Sequence, residues 1–343
     1  MSGPIWIDLI NSPHVLFFRP VIRDLHRRGF ETVVTARNFA QTIELCELLE
    51  VEAIAIGPDG GLTKKDKAAE LARRTGRLIR FARRTRPDTV LTHSSYSQLC
   101  AARFLGLPSV TTMEYEHQPA NHLSFRLANV VLVPEPLRRA SLARQGARPS
   151  KLRFFAGLKE EVSLSGFAQD LEYRTRLGVS PAQVLVVVRP PADSALYHVE
   201  NRLFPRILSR LLAHWPAVRT ILLPRNHSQR QRYSDGPFAP MVAERVYDGP
   251  QLLAAADLVM SGGGCMNREA AILGTPTFSA FAGKMGCEDE YLAASGRMVL
   301  LSSEKDVDAV PLVQKTRTEA VRVSGAVMRD FVDKALLCLG LSS

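Results

Sequence analysis

Chemistry concentrates first in Met260-Ser261-Gly262-Gly263-Gly264-Cys265-Met266-Asn267-Arg268-Glu269. A short apolar run, Leu258–Met260, leads into three glycines, and a helical pattern follows. Glycines let a ligand approach the backbone. A helix N-terminus offers unpaired N–H groups and the positive end of its dipole to a phosphate. Glu269 falls about one turn inside that helix, where a carboxylate can accept hydrogen bonds from ribose hydroxyls. Asn267 shares the same turn. The pattern is neither G-x-G-x-x-G nor G-x-x-x-x-G-K-[ST], so neither a dinucleotide fingerprint nor a P-loop is indicated. A tight structural turn is the plain alternative, but three successive glycines are costly for a turn alone. Phosphate binding is the favoured reading.

Five further groups follow apolar runs. Asn11-Ser12-Pro13-His14 comes after the first, and a histidine there suits a general base because its pKa can be tuned to the working pH. His93-Ser94-Ser95 and Glu114-Tyr115-Glu116-His117 follow two more. Their side chains could bind sugar hydroxyls or move protons, with Glu116 the alternative to His14 as catalytic base; helix capping and loop salt bridges are the plain readings. Arg189-Pro190-Pro191 and Pro224-Arg225-Asn226-His227 place cationic groups after two runs of the second half, and arginine suits bidentate contact with a diphosphate.

These groups need strands and helices to aim them, and the pattern supplies both. Ile5–Ile10, Thr32–Thr35, Ala53–Ile56, Thr89–Thr92, Ser109–Met113 and Val130–Val133 read as strands. Val15–Arg28, Phe39–Leu49 and Tyr96–Leu105 read as helices between them. The rhythm restarts after 157–178 with strands Gln183–Val188, Thr220–Leu223, Leu258–Met260 and Thr277–Ala280. Helices Val199–Ala213 and Asn267–Leu273 alternate with these strands, and a last one spans about Thr318–Leu339. Such alternation predicts an α/β protein of two doubly wound parallel-sheet domains, 1–160 and 171–315, facing a cleft, with a helix in 316–343 packing across them. Ligands of such sheets bind at the carboxyl ends of the strands, which is where these groups fall.

The 343 residues fit two domains, and the composition is that of a globular chain. No apolar run is long enough for a membrane span, and the N-terminus lacks a basic leader region. Five scattered cysteines without a C-x-x-C pair fit free thiols in a reducing, cytoplasmic compartment. The net charge of +10 is localised. Residues 64–86 hold ten basic side chains against Asp66 and Glu70. Arg73, Arg77, Arg80 and Arg84 recur at helical spacing, a face suited to an anionic membrane surface on the inner side or to an anionic acceptor. No aromatic platform accompanies them, so no nucleic acid is expected.

Together these motifs resemble the GT-B glycosyltransferase superfamily and, within it, the "domain of unknown function 354" family. Trp6–Pro20 is similar to that family's N-terminal motif, and Gly262–Pro276 to its C-terminal signature. In GT-B enzymes such as the peptidoglycan N-acetylglucosaminyltransferase the matching glutamate binds the UDP ribose and the glycine turn holds the diphosphate. The resemblance thus implies Glu269 and Gly262, Gly263 and Gly264 in those roles, and His14 as the base. It also implies a metal-independent transferase with no cofactor, taking a nucleotide-diphosphate sugar to a glycan or lipid-linked acceptor. Non-hydrolysing UDP-N-acetylglucosamine 2-epimerases share Ser261-Gly262-Gly263 and Pro224-x-x-His227. Their Gly-Asp-Thr is replaced here by His93-Ser94-Ser95, so epimerisation ranks second and a non-catalytic nucleotide-sugar-binding protein third.

Overall fold

Residues 3–38, 41–57, 64–191, 201–245, 247–316 and 319–341 are described by a computed structural model. The side chains of Lys64, Lys65 and Lys67 lie outside this description, as do the expected helix starts at Phe39 and Val199 and the expected boundary at Thr318. The chain forms two units, Met1–Ser165 with Gly325–Ser343, and Gly166–Ser324.

The first unit holds seven strands: β1 (Ile5–Leu9), β2 (Thr32–Ala36), β3 (Ile54–Ala55), β4 (Thr89–His93), β5 (Ser109–Thr112), β6 (Val130–Pro134) and β7 (Leu152–Phe155). All pair parallel, in the order β3-β2-β1-β4-β5-β6-β7. The order reverses between β1 and β4, so their carboxyl ends splay apart and open a crevice for a ligand. Strand periodicity divides β1 between two cores. Ile5, Ile7 and Leu9 meet Phe17, Phe18 and Val21 of helix Ser12–Arg27. Trp6 turns the other way, onto Leu78 and Ala82 of helix Lys64–Thr85.

The second unit holds β8 (Val184–Arg189), β9 (Val218–Leu222), β10 (Leu258–Ser261), β11 (Thr277–Ser279) and β12 (Val299–Leu300), parallel in the order β12-β11-β10-β8-β9. Its reversal lies between β8 and β10. Val186, Val188, Leu258 and Met260 pack on Phe204, Ile207 and Leu211 of helix Leu203–Ala213. Two doubly wound parallel sheets are therefore the architecture, as the sequence pattern predicts.

Two expectations change. Two short edge strands, β7 and β12, were not anticipated. The last helix is Ala326–Leu339, shorter than expected. Val321 and Val323 instead exchange main-chain hydrogen bonds with Phe167 and Gln169 in an extended segment. Helix Ala326–Leu339 contributes Phe331, Val332 and Leu336 to the first unit's core, with Phe331 edge-on to Phe17 and Phe155 at 5.2 and 5.1 Å. No helix among the described residues is long and apolar enough to cross a membrane, and none of the five cysteines forms a disulfide.

Candidate active site

In the first unit the carboxyl ends of β1, β4, β5 and β7 bring their polar residues into one cluster. Asn11 caps helix Ser12–Arg27, which begins three residues earlier than the apolar pattern suggests because Asn11 and Pro13 start it. His14 therefore sits in the first helical turn, buried, with its ring centroid 4.4 Å from that of His93. His93 Nε2 lies 2.6 Å from Glu114 Oε2, a close polar contact outside hydrogen-bond geometry. The other oxygen of Glu114 accepts from Lys159 Nζ at 3.1 Å, and Lys159 lies 3.7 Å from Glu160. Lys159 and Glu160 are both buried, at 2% and 0% exposure. Nearby, burial and then the Glu114 charge push the Tyr96 hydroxyl upward.

Ser94 and Ser95 hold this cluster rather than enter it. Ser94 has φ +50°, a left-handed conformation that a side chain seldom adopts. Its hydroxyl donates to Thr112 O at 3.2 Å. Backbone strain of this kind collects at functional sites. Ser95 donates to Asp8 of β1. Asp8 faces the same side as Trp6, beneath helix Lys64–Thr85, and is fully buried. Arg74 answers it with two bonds of 2.7 and 2.8 Å, and the Thr35 hydroxyl donates at 2.6 Å. One of the ten basic residues is thus part of the core, while Arg73, Arg77, Arg80 and Arg84 are exposed as the helical spacing predicts. Glu116 forms a separate contact with His117 at 3.4 Å.

Burial holds the His14 pKa well below its ordinary 6.5; His93 lowers it further, Glu114 opposes, and Lys159 lowers it again. The ring is neutral at pH 7, the form a base requires. The consequence for stability has a definite sign. Below about pH 6.5 the unfolded chain binds a proton on this ring and the folded chain does not, so stability falls as pH falls, by up to about 1.4 kcal/mol per pH unit. Urea unfolding at pH 7, 6 and 5 should show this slope in the wild type and a flatter one in His14→Gln. Identical slopes would remove the charge argument.

In the second unit the glycine turn lies at the β8–β10 reversal. Gly262 is pressed on Pro191, where a Cβ would come 2.7 Å from the Pro191 backbone. Gly264 has φ +105° and ψ −175°, a region open to glycine, and begins helix Cys265–Ile272. Arg225 donates to Pro190 O at 2.7 Å and to Gly263 O at 3.0 Å. It therefore clasps the turn, a positioning task that the expectation of diphosphate contact did not include. Gln229 adds a bond to Pro191 O at 2.8 Å. Asn267 is buried at 1% exposure, and among the described residues its amide nitrogen and oxygen have no hydrogen-bond partner. Such a group in a protein interior normally answers a water, an ion or a ligand. Glu269 is half-buried, Arg189 half-buried, and His227 exposed at the start of helix His227–Ser234.

The family described as protein of unknown function (DUF354) matches residues 4–332. The chain belongs to this family. Across it, an uncharacterized protein of Methanocaldococcus jannaschii is 27% identical over 309 residues, covering 88% of this chain and 89% of its own. Among solved structures, the M. jannaschii UDP-GlcNAc 2-epimerase in complex with UDP-GlcNAc and UDP superposes with a TM-score of 0.70 at 14% identity, covering 97% of this chain and 99% of its own. The Anabaena protein HepE in complex with UDP gives 0.55 at 15% identity, over 90% and 89%. At these identities the likeness establishes the fold, which for this DUF354 chain is the GT-B-like one.

Lys159, Glu160, Asp8 and Arg74 escaped sequence reading. Lys-Glu-Glu at 159–161 and the arginines of 64–86 look like solvated helix surface, and only the tertiary fold buries one residue of a charged run and leaves its neighbours outside. The detectable signal was Asp8 itself, a carboxylate on the inward register of a buried parallel strand, which demands a cationic partner.

Proposed function

We propose that this chain is a metal-independent sugar-transfer enzyme that takes a UDP-linked sugar on its second unit and supplies acid–base chemistry from its first. The observation that carries the reading is the glycine turn at the β8–β10 reversal. There the N-terminus of helix Cys265–Ile272, which no side chain caps, falls together with the Asn267 side-chain amide, which has no partner among the described residues; the Gly262 and Gly263 N–H groups are themselves held by Arg189 O and Ser261 Oγ. On this reading Gly262, Gly263 and Gly264 let the diphosphate approach the helix N-terminus closely, and Glu269 holds the ribose. Arg189 and His227 lie at neighbouring strand ends, and Arg225 keeps the turn in place. The acceptor hydroxyl attacks the anomeric carbon while its proton passes to His14. The anomeric C–O bond to the diphosphate breaks, and its electron pair leaves with UDP. His93, Glu114 and Lys159 orient and tune His14. The exposed Arg73, Arg77, Arg80 and Arg84 face supports an anionic, glycan or lipid-linked acceptor.

Epimerisation at C2 is the second reading, favoured by the whole-chain likeness to 2-epimerases and by the His93–Glu114 pair, which could move a carbon-bound proton. A thermal-shift titration with UDP tests what the readings share. UDP at 100 times its dissociation constant adds about 2.7 kcal/mol to the wild type, and Glu269→Ala should lose most of it. No stabilisation of the wild type by any UDP ligand would refute both. Proton NMR of UDP-GlcNAc in deuterated buffer then separates them. Deuterium at C2 without acceptor marks an epimerase; UDP release that requires an acceptor marks a transferase.

A further inference from the structure

We propose that the first unit carries a second, separate ligand site, a cationic cavity at the amino ends of β5, β6 and β7 that takes a phosphate or diphosphate group. The cavity holds about 430 Å³ and is lined by Arg103, Arg126, Arg148 and Lys151 over Leu107 and Leu127, with no carboxylate in its walls. That volume is in the range of small-molecule sites. Leu107 lies just before β5 and Lys151 just before β7, so the cavity opens at the opposite end of the strands from His14, roughly 15 Å of strand away.

Helix ends explain part of this charge. Lys151 donates to Ala128 O at 2.6 Å, Arg126 O at 3.1 Å and Phe125 O at 3.4 Å, closing the last turn of helix Asn121–Leu127. Arg126 donates to His122 O at 2.7 Å in the same helix. With these carbonyls satisfied, the helix end no longer repels an anion. Arg103 and Arg148 remain. Both are exposed, and among the described residues neither pairs with a carboxylate. Their field reaches inward: after burial, Arg148 and Arg103 are what lower the Lys151 pKa. Four cations converging on a concavity without a counter-charge repel one another, and an anion removes that cost. Guanidinium forks select the oxygens of a phosphate. Gly146, at φ +90°, contributes space, since a Cβ there would fall 2.5 Å from Arg126 Nη1.

The test is calorimetric titration of the full chain with inorganic pyrophosphate, in saturating UDP so that the second unit's glycine turn is occupied. The comparison is between the wild type and the double variant R103Q/R148Q, whose exposed positions leave the fold intact. A parallel arm measures co-sedimentation with phosphatidylcholine vesicles containing phosphatidic acid. Binding at least tenfold weaker in R103Q/R148Q than in the wild type is expected. Loss in the pyrophosphate arm identifies a free phosphorylated ligand, and loss in the vesicle arm alone a lipid headgroup. Equal behaviour of the two proteins in both arms, or no binding by the wild type in either, overturns the proposal. If the nucleotide reading were wrong, UDP would fail to bind the wild type, while the comparison between wild type and variant would keep its meaning.

Discussion

Asp8→Ala should destabilise the protein by about 3–5 kcal/mol, a large share of the roughly 5–15 kcal/mol available to a domain. Asp8 is the charge at the centre of the first unit. Its two oxygens take both Arg74 bonds, the Thr35 hydroxyl and the Ser95 hydroxyl, and Thr35 in turn accepts from Trp6 Nε1 at 3.0 Å. This network ties β1, β2, the turn after β4 and helix Lys64–Thr85 together directly beneath the reversal point. Truncating the carboxylate strands the Arg74 guanidinium at 2% exposure with nothing but the Ile56 carbonyl to answer it. An uncompensated buried cation is what makes the loss large. Removing both charges is therefore the sharper test. The double variant D8A/R74M should recover at least about 1 kcal/mol over D8A alone, because the coupled pair is not additive. Urea denaturation of the wild type, D8A and D8A/R74M gives both numbers. A D8A loss below about 1 kcal/mol would show that the pair holds nothing that solvent cannot replace.

The rhythm of apolar runs was enough to read the two sheets, because the central strands are buried on both faces and appear as short, largely apolar runs, as Val184–Val188 does. Edges were harder. β12 is only Val299 and Leu300, both exposed, and β7 carries Arg153 between Leu152 and Phe154, so neither has the signature of a core strand. The segment before the last helix shows the other limit. Val321 and Val323 alternate with polar residues, a strand pattern that a helix-length apolar stretch beyond it concealed. The sites divide along the same line. Glycine turns and strand-end histidines are local signals and were legible. Whether Arg225 faces a ligand or clasps two carbonyls depends on Pro190 and Gly263, which lie 35 and 38 residues away in sequence, and no local pattern encodes that. Lys159 is the clearest case, because its importance lies entirely in reaching Glu114 from the far end of the sheet.

That reach gives a prediction with two opposite signs. His14→Gln should lower turnover by about 10²–10⁴-fold, the usual worth of a general base, but a damaged fold would lower it as well. The neighbours discriminate. Lys159 lowers the His14 pKa and Glu114 raises it, both after the larger effects of burial and His93. Lys159→Met therefore raises the pKa of His14, and the acid limb of the pH–rate profile, where the base becomes protonated and activity is lost, moves to higher pH. Glu114→Gln withdraws a stabilising negative charge from the imidazolium, and the same limb moves to lower pH. The imidazole's own NMR titration must shift in the same two directions, with or without turnover. A cluster whose only task is to hold the strand ends together would weaken both variants alike and leave the limb where it is, and so would a His14 that takes no proton from substrate.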